Sequence, residues 1–313
     1  MTHHTSDKHL HARVIERRDI SPDLRVLRLD PGAPFKFHAG QYATLGVERD
    51  GQRFERAYSI ASSPYEDFLE FFVELVPEGN VTPSLFKLQI GDGLLCRKIA
   101  KGRFTLDLHS GRTQHLLVST VTGVAPFVSY IRTLHRDWKD GQGAMQGSHQ
   151  SHGERRAHGE HGSHSEHETG GHQVHGAHGA SGAHQRYGEH KMPGPHKLFL
   201  LHGASRSCEL GYREELERVA AEVPWLEYVP TVSRPWEEHK WKGETGRVDD
   251  VLRKYADVWG LRPEVTTAYL CGHPSMVEHG RGILHRAGWK KDAMFDEVYF
   301  VQGKSGSAGA ASA

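Results

Sequence analysis

The stretch Leu116-Leu117-Val118-Ser119-Thr120-Val121-Thr122-Gly123-Val124-Ala125-Pro126 decides the fold. A compact apolar run ends in small and hydroxyl residues. Past Gly123 the apolar positions change spacing, and Val124, Phe127, Val128, Ile131 and Leu134 fall on one helical stripe. This is a strand turning sharply into a helix. Small residues at such a turn let backbone N–H groups approach a phosphate, and the helix start adds favourable partial charge; the same turn also serves as a plain connection without a ligand. Downstream the alternation repeats. Strands are expected at 198–201, 228–232 (weakened by Pro230), 267–271 and 298–301. Helical stripes fall on Leu210, Leu216, Val219, Ala220 and Val223, on Val248, Val251, Leu252, Tyr255 and Val258, and on Met276, Val277, Gly280, Ile283, Leu284 and Ala287. The pattern is a parallel sheet with helices on both faces, whose ligand belongs at the C-terminal strand ends.

Upstream of residue 108 the pattern differs. Residues 26–29, 42–47, 56–60 and 69–75 are short, partly alternating runs, separated by turn residues at 31–32, 50–51, 77–80 and 91–93. Many short strands at regular spacing predict a small antiparallel barrel. One helix interrupts it at 82–88, with Thr82 as N-cap and Pro83 at the first helical position. The predicted fold class is therefore an antiparallel β-barrel domain followed by an α/β domain with a parallel sheet.

The chain has 313 residues, 39 basic and 39 acidic side chains, and 25 histidines. Balanced charge argues against general nucleic-acid binding. No apolar run reaches the roughly 20 residues that span a bilayer. Residues 1–11 are polar, without the apolar core of a signal peptide, which predicts a cytoplasmic protein. Cys96, Cys208 and Cys271 cannot form a disulfide framework or a four-cysteine iron–sulfur site. Twelve histidines fall between His149 and His196, and residues 141–196 hold 13 glycines but only four larger apolar side chains. Such a segment cannot offset its ordering entropy, so a disordered insertion is expected. Within it His158, His161, His164, His167, His172, His175 and His178 suit weak, adventitious binding of Ni²⁺, Zn²⁺ or Cu²⁺; the alternative is low-complexity chain without a selected role.

Chemistry gathers first at Arg56-Ala57-Tyr58-Ser59. On a strand Arg56 and Tyr58 share a face, where arginine can grip a pyrophosphate and tyrosine can stack on a flat heterocycle; an ordinary barrel strand with an exposed arginine reads the same way. Four motifs in register say more: 56–59, the turn 120–126, Cys271-Gly272-His273-Pro274-Ser275-Met276, and Glu297-Val298-Tyr299-Phe300. Together they resemble the ferredoxin–NADP⁺ reductase family over about residues 10–302, the His-rich segment apart.

The resemblance implies an FAD-binding barrel at 10–110 and an NADP-binding α/β domain at 111–303, interrupted at 141–196, with disordered ends at 1–9 and 304–313. It implies that Arg56 binds the FAD pyrophosphate, Tyr58 stacks on the flavin and Ser59 lies near flavin N5. Gly79, Val81 and Thr82 would form a second FAD phosphate turn. Thr122 and Gly123 would hold the NADP pyrophosphate, and Cys271 would lie near nicotinamide C4. Tyr299 would cover the flavin, with Glu297 near the active centre. Two departures stand out. Val121 replaces a glycine that many members have, and the chain continues past Tyr299.

A 2′-phosphate wants arginines, and Arg206, Ser233, Arg234 and Arg247 match the family's NADP-binding positions. The activity implied is hydride exchange between NADP(H) and FAD, with one-electron exchange to ferredoxin or flavodoxin, by a monomer. Arg49, Arg53, Lys98, Lys101 and Arg103 are candidates for a basic rim facing that carrier. The alternatives are the reductase component of an oxygenase and a non-enzymatic regulatory or metal-binding subunit on the same fold.

Overall fold

The computed structural model describes residues 8–150, 196–238 and 240–299, with side chains throughout except at 142–150. Residues 1–135 and 192–313 belong to one compact unit and 136–191 to a second. The described part of the second is helical and ends at Gln150.

The first half of the main unit holds β1 (His9–Ser21), β2 (Leu24–Asp30), β3 (Tyr42–Arg49), β4 (Gln52–Ser59), β5 (Leu69–Glu74) and β6 (Gly93–Arg97), with a short helix α1 (Thr82–Leu85) between β5 and β6. The sheet order is β4-β3-β6-β1-β2-β5, with every pairing antiparallel. Ile60 bridges to Phe71 across the two edges, so the sheet curls into the expected barrel. Alternate residues fill it: Val14, Leu27, Leu29, Leu45 and Phe71 are fully buried. The first strand begins at His9, one residue inside the terminus expected to be disordered. Thr82 is not the N-cap. Val81 holds that place. The Thr82 hydroxyl accepts from Val76 N (2.9 Å) and donates to Val76 O (3.1 Å), which staples the preceding turn instead.

The second half holds β7 (Gln114–Thr120), α2 (Ala125–Gln150), β8 (Lys197–Ala204), α3 (Arg213–Glu222), β9 (Leu226–Val232), β10 (Glu244–Thr245), α4 (Val248–Val258), β11 (Thr266–Gly272), α5 (Pro274–Arg286) and β12 (Met294–Val298). The order is β10-β9-β8-β7-β11-β12, all parallel. The chain runs outward from β7 to β10, then returns to β11 on the other side of β7. The sheet thus reverses direction between β7 and β11, where a crevice opens at the strand ends. Pro230 is tolerated because, among the described residues, β10 pairs with Thr231 and Val232 and not with residue 230.

Several expectations shift here. The last strand is 294–298 rather than 298–301, and Tyr299 follows it, its N–H donating to Gly272 O (3.2 Å). Val258 is 67% exposed and falls off the buried stripe of α4. Residues 141–150 continue α2 instead of opening a structureless insertion. His196 belongs to the fold: it is buried and stacked on His115 with ring centroids 5.2 Å apart.

Candidate functional site

A cleft of about 890 Å³ opens where the barrel meets the C-terminal ends of the parallel strands. The barrel contributes Arg56, Tyr58 and Ser59 from the end of β4, with Gly79, Val81 and Thr82 from the turn into α1. The α/β half contributes Thr122, Ser233, Arg247, Glu297 and Tyr299. Four residues expected at the site, Gly123, Arg206, Arg234 and Cys271, do not line it.

On the barrel side, Arg56 is exposed and donates to Glu55 O (2.9 Å). Among the described residues it has no carboxylate partner. Tyr58 packs against the barrel core, and its hydroxyl is buried without a hydrogen-bond partner among the described residues. Burial pushes that phenol's pKa up. Buried Ser59 donates through Oγ to Glu297 Oε2 (3.4 Å), joining the two halves. An uncompensated cation beside an aromatic ring with an unmet hydroxyl fits a flat heterocycle joined to a pyrophosphate. At Gly79 a Cβ would stand 2.9 Å from Val76 O, so the turn into α1 demands glycine.

On the other side, residues 121–124 form a 3₁₀ turn ahead of α2. Gly123 is required for packing, since a Cβ there would lie 2.2 Å from Cys271 O. Tyr299 Oη donates to Thr122 O (3.0 Å), and Cys271 Sγ donates to Tyr299 Oη at 3.8 Å. Cys271 is fully buried behind that ring. Burial, aided by nearby Glu297, holds its pKa well above the ordinary thiol value, so it is a neutral thiol. Burial raises Glu297 to about 7, against the opposing hydrogen bond from Ser59. Near neutrality this carboxyl divides between its two protonation states.

The expected phosphate-binding arginines are already engaged. Arg206 reaches Glu237 (2.6 Å) and Glu209 (3.4 Å), Arg234 reaches Glu237 (3.6 Å), and Arg247 reaches Asp249 (3.3 Å). Sequence reasoning missed Glu237 and Asp249, although they stand three and two positions past Arg234 and Arg247 and carried a local signal. It also left Glu74 and His273 without roles; both line the cleft, and His273 caps α5 by accepting from Ser275 N (3.2 Å). The seven histidines proposed to bind metal lie outside the described residues. Among the described residues no group of three or more His, Cys, Asp or Glu side chains could hold a metal ion. No described helix is long and apolar enough to cross a membrane.

A curled antiparallel barrel and a parallel sheet sharing one cleft at the switch point define a two-domain flavin- and nicotinamide-dependent oxidoreductase. Family models agree: the oxidoreductase FAD-binding domain matches residues 11–105, and the oxidoreductase NAD-binding domain matches 183–281. The ferredoxin–NADP reductase of Pseudomonas aeruginosa is 30% identical over 279 residues, covering 83% of this chain and 82% of that protein. The chain belongs to the ferredoxin–NADP reductase family, enzymes whose cofactors are FAD and NADP(H). Shorter matches to two more reductases of that name span 43% and 38% of their lengths. The phenol hydroxylase P5 protein of Acinetobacter pittii is 25% identical over 269 residues, covering 85% of this chain but 59% of that protein. The fold is shared with a ferredoxin NADP⁺ reductase from Neisseria gonorrhoeae, solved with bound FAD and NADP. Its TM-score is 0.69 at 20% identity, over 94% of this chain and 100% of that one.

Proposed function

We propose that this enzyme exchanges electrons between NADP(H) and a small protein carrier, ferredoxin or flavodoxin, as a cytoplasmic monomer. The observation that carries the reading is the Ser59–Glu297 hydrogen bond, which joins the flavin-side strand to the nicotinamide-side residues in one cleft. Bound FAD supplies the link between two-electron nicotinamide chemistry and one-electron carriers. Arg56 grips its pyrophosphate, Tyr58 stacks on its ring system, and Gly79, Val81 and Thr82 line its second phosphate turn. Thr122 receives the NADP(H) pyrophosphate. Arg247 and Ser233 take the 2′-phosphate within the cleft, while Arg206 and Arg234 join them by exchanging Glu237 for it. Tyr299 guards the nicotinamide entry, held by Thr122 O and backed by Cys271. Ser59 and Glu297 hold a proton at the seam.

The second reading, an oxygenase reductase component, is favoured by the phenol hydroxylase likeness. The three cysteines of this chain cannot supply a four-cysteine cluster. The test is anaerobic reduction of cytochrome c by the purified protein with NADPH or NADH, with and without ferredoxin or flavodoxin. Bound flavin, a preference for NADPH and dependence on the carrier are expected. Protein without flavin, or a rate indifferent to the carrier, would overturn the reading. Weak metal binding by the His-rich segment is proposed apart from this site. Calorimetric titration with Ni²⁺ should show it, and chelator should leave NADPH oxidation unchanged.

A further inference from the structure

Val121 has φ +45°, a left-handed backbone that a β-branched side chain resists and glycine adopts freely. Something must hold it there. Its carbonyl oxygen lies 3.2 Å from His202 Nε2, and His202 Nδ1 lies 3.2 Å from Tyr228 Oη. A carbonyl only accepts, so Nε2 carries the proton. Nδ1 is left as the acceptor for the Tyr228 hydroxyl. His202 is fully buried in β8, and burial lowers its pKa to about 4, so the imidazole stays neutral at physiological pH. The turn is tied twice more: Thr122 O accepts from Tyr299 Oη, and Thr120 Oγ1 accepts from His273 N (2.9 Å). Tyr299 and His273 line the cleft, whereas His202 and Tyr228 do not.

We propose that His202 and Tyr228 are positioning residues that clamp Val121 in its left-handed conformation, so that the turn offers its N–H groups to a dinucleotide pyrophosphate. The clamp does the work that glycine at 121 would make unnecessary. The proposal rests on the reading of the cleft as an NADP(H) site.

The experiment is a double-mutant cycle on the flavin-loaded protein, with Tyr228→Phe and Val121→Gly as the two changes. Affinities for NADP⁺ and for adenosine 2′-monophosphate, which lacks the pyrophosphate, are measured by calorimetry. Tyr228→Phe removes one hydroxyl without opening a cavity, and flavin content reports that the fold persists. Tyr228→Phe should weaken NADP⁺ binding about three- to ten-fold, the scale of one hydrogen bond, and leave adenosine 2′-monophosphate unchanged. In the Val121→Gly background the same change should have no effect. Equal weakening of both ligands, or the same loss in the glycine background, would overturn the clamp. Wild-type protein that fails to bind NADP⁺ would remove the NADP(H) reading itself, a separate and recognisable failure.

Discussion

Glu297 is the titratable group whose charge the cleft controls most directly. Its folded pKa of about 7 stands above the ordinary carboxylate value of 4.5 because burial penalises the anion. A raised carboxyl binds its proton more tightly in the folded chain than in the unfolded one. The resulting cost is therefore absent below about pH 4.5, grows as pH rises, and is complete above about 7. Glu297→Gln removes a charge that is costly to bury. The variant should match the wild type near pH 4.5 and exceed it in stability at pH 8 by up to about 3 kcal/mol, read from urea denaturation at both values. Its turnover should also lose any transition near pH 7. The arginine end of the cleft gives a second test. Glu237 occupies Arg206 and Arg234, and such exposed, solvent-screened pairs are weak and easily exchanged. Glu237→Gln should lower the KM for NADPH about two- to five-fold and leave that for NADH unchanged. The placing of Arg56, Tyr58 and Ser59 together at the cleft was readable because strand alternation and side-chain chemistry are local. That Arg206 and Arg234 share one carboxylate was not, since Arg206 and Glu237 meet only when two loops fold together.

Elements show the same division. Strands β8 and β11 and helices α4 and α5 were legible because buried parallel strands are continuous apolar runs and their helices carry one apolar stripe. β1 was hidden because its outward positions, Arg13, Glu16, Arg17 and Arg18, dilute the apolar signal of Ala12 and Val14. β12 was displaced because Phe295 and Val298 flank acidic residues, while residues 298–301 look more apolar. Nor can sequence reveal that the turn ahead of α2 lies in direct backbone contact with β11. Gly123 marks that contact, with Cys271 O 2.2 Å and Gly272 Cα 2.9 Å from where a Cβ would stand. Both obstacles are backbone and cannot rotate away. Gly123→Ala should therefore cost about 3 kcal/mol or more, the upper range for overpacking, seen as a lower urea midpoint. It should also disturb the Thr122 O to Tyr299 tie.

At the scale of the molecule, the cleft exists only while the two halves keep their orientation, and one face of α2 fixes it. Ser129 Oγ donates to Ser62 O (2.6 Å), Ser63 Oγ meets Thr133 Oγ1 (2.9 Å), and Tyr130 Oη donates to Phe104 O. At the centre Arg132 reaches Glu70 (2.8 Å) on β5 and both oxygens of Glu215 (2.7 and 2.8 Å) on α3; Arg28 meets Glu70 from β2 (2.5 Å). These contacts lie a few residues from Ser59 on one side and the turn ahead of α2 on the other, so they set the spacing across the cleft. Glu70 is fully buried. Burial alone would raise its pKa, but Arg132 and Arg28 outweigh it and hold the carboxyl below its ordinary value. The stability this gives is present above about pH 4.5 and lost as pH falls through the lowered folded pKa. Arg132→Met keeps the length of the side chain but leaves Arg28 as the one cation paired with Glu70 among the described residues. Breaking one side of a buried pair costs about 3–5 kcal/mol. The variant should show that loss in urea denaturation at pH 7, and the gap should narrow at pH 4 and below as Glu70 takes up its proton in both proteins. A gap independent of pH would mean that Arg132 stabilises the seam by packing rather than by charge.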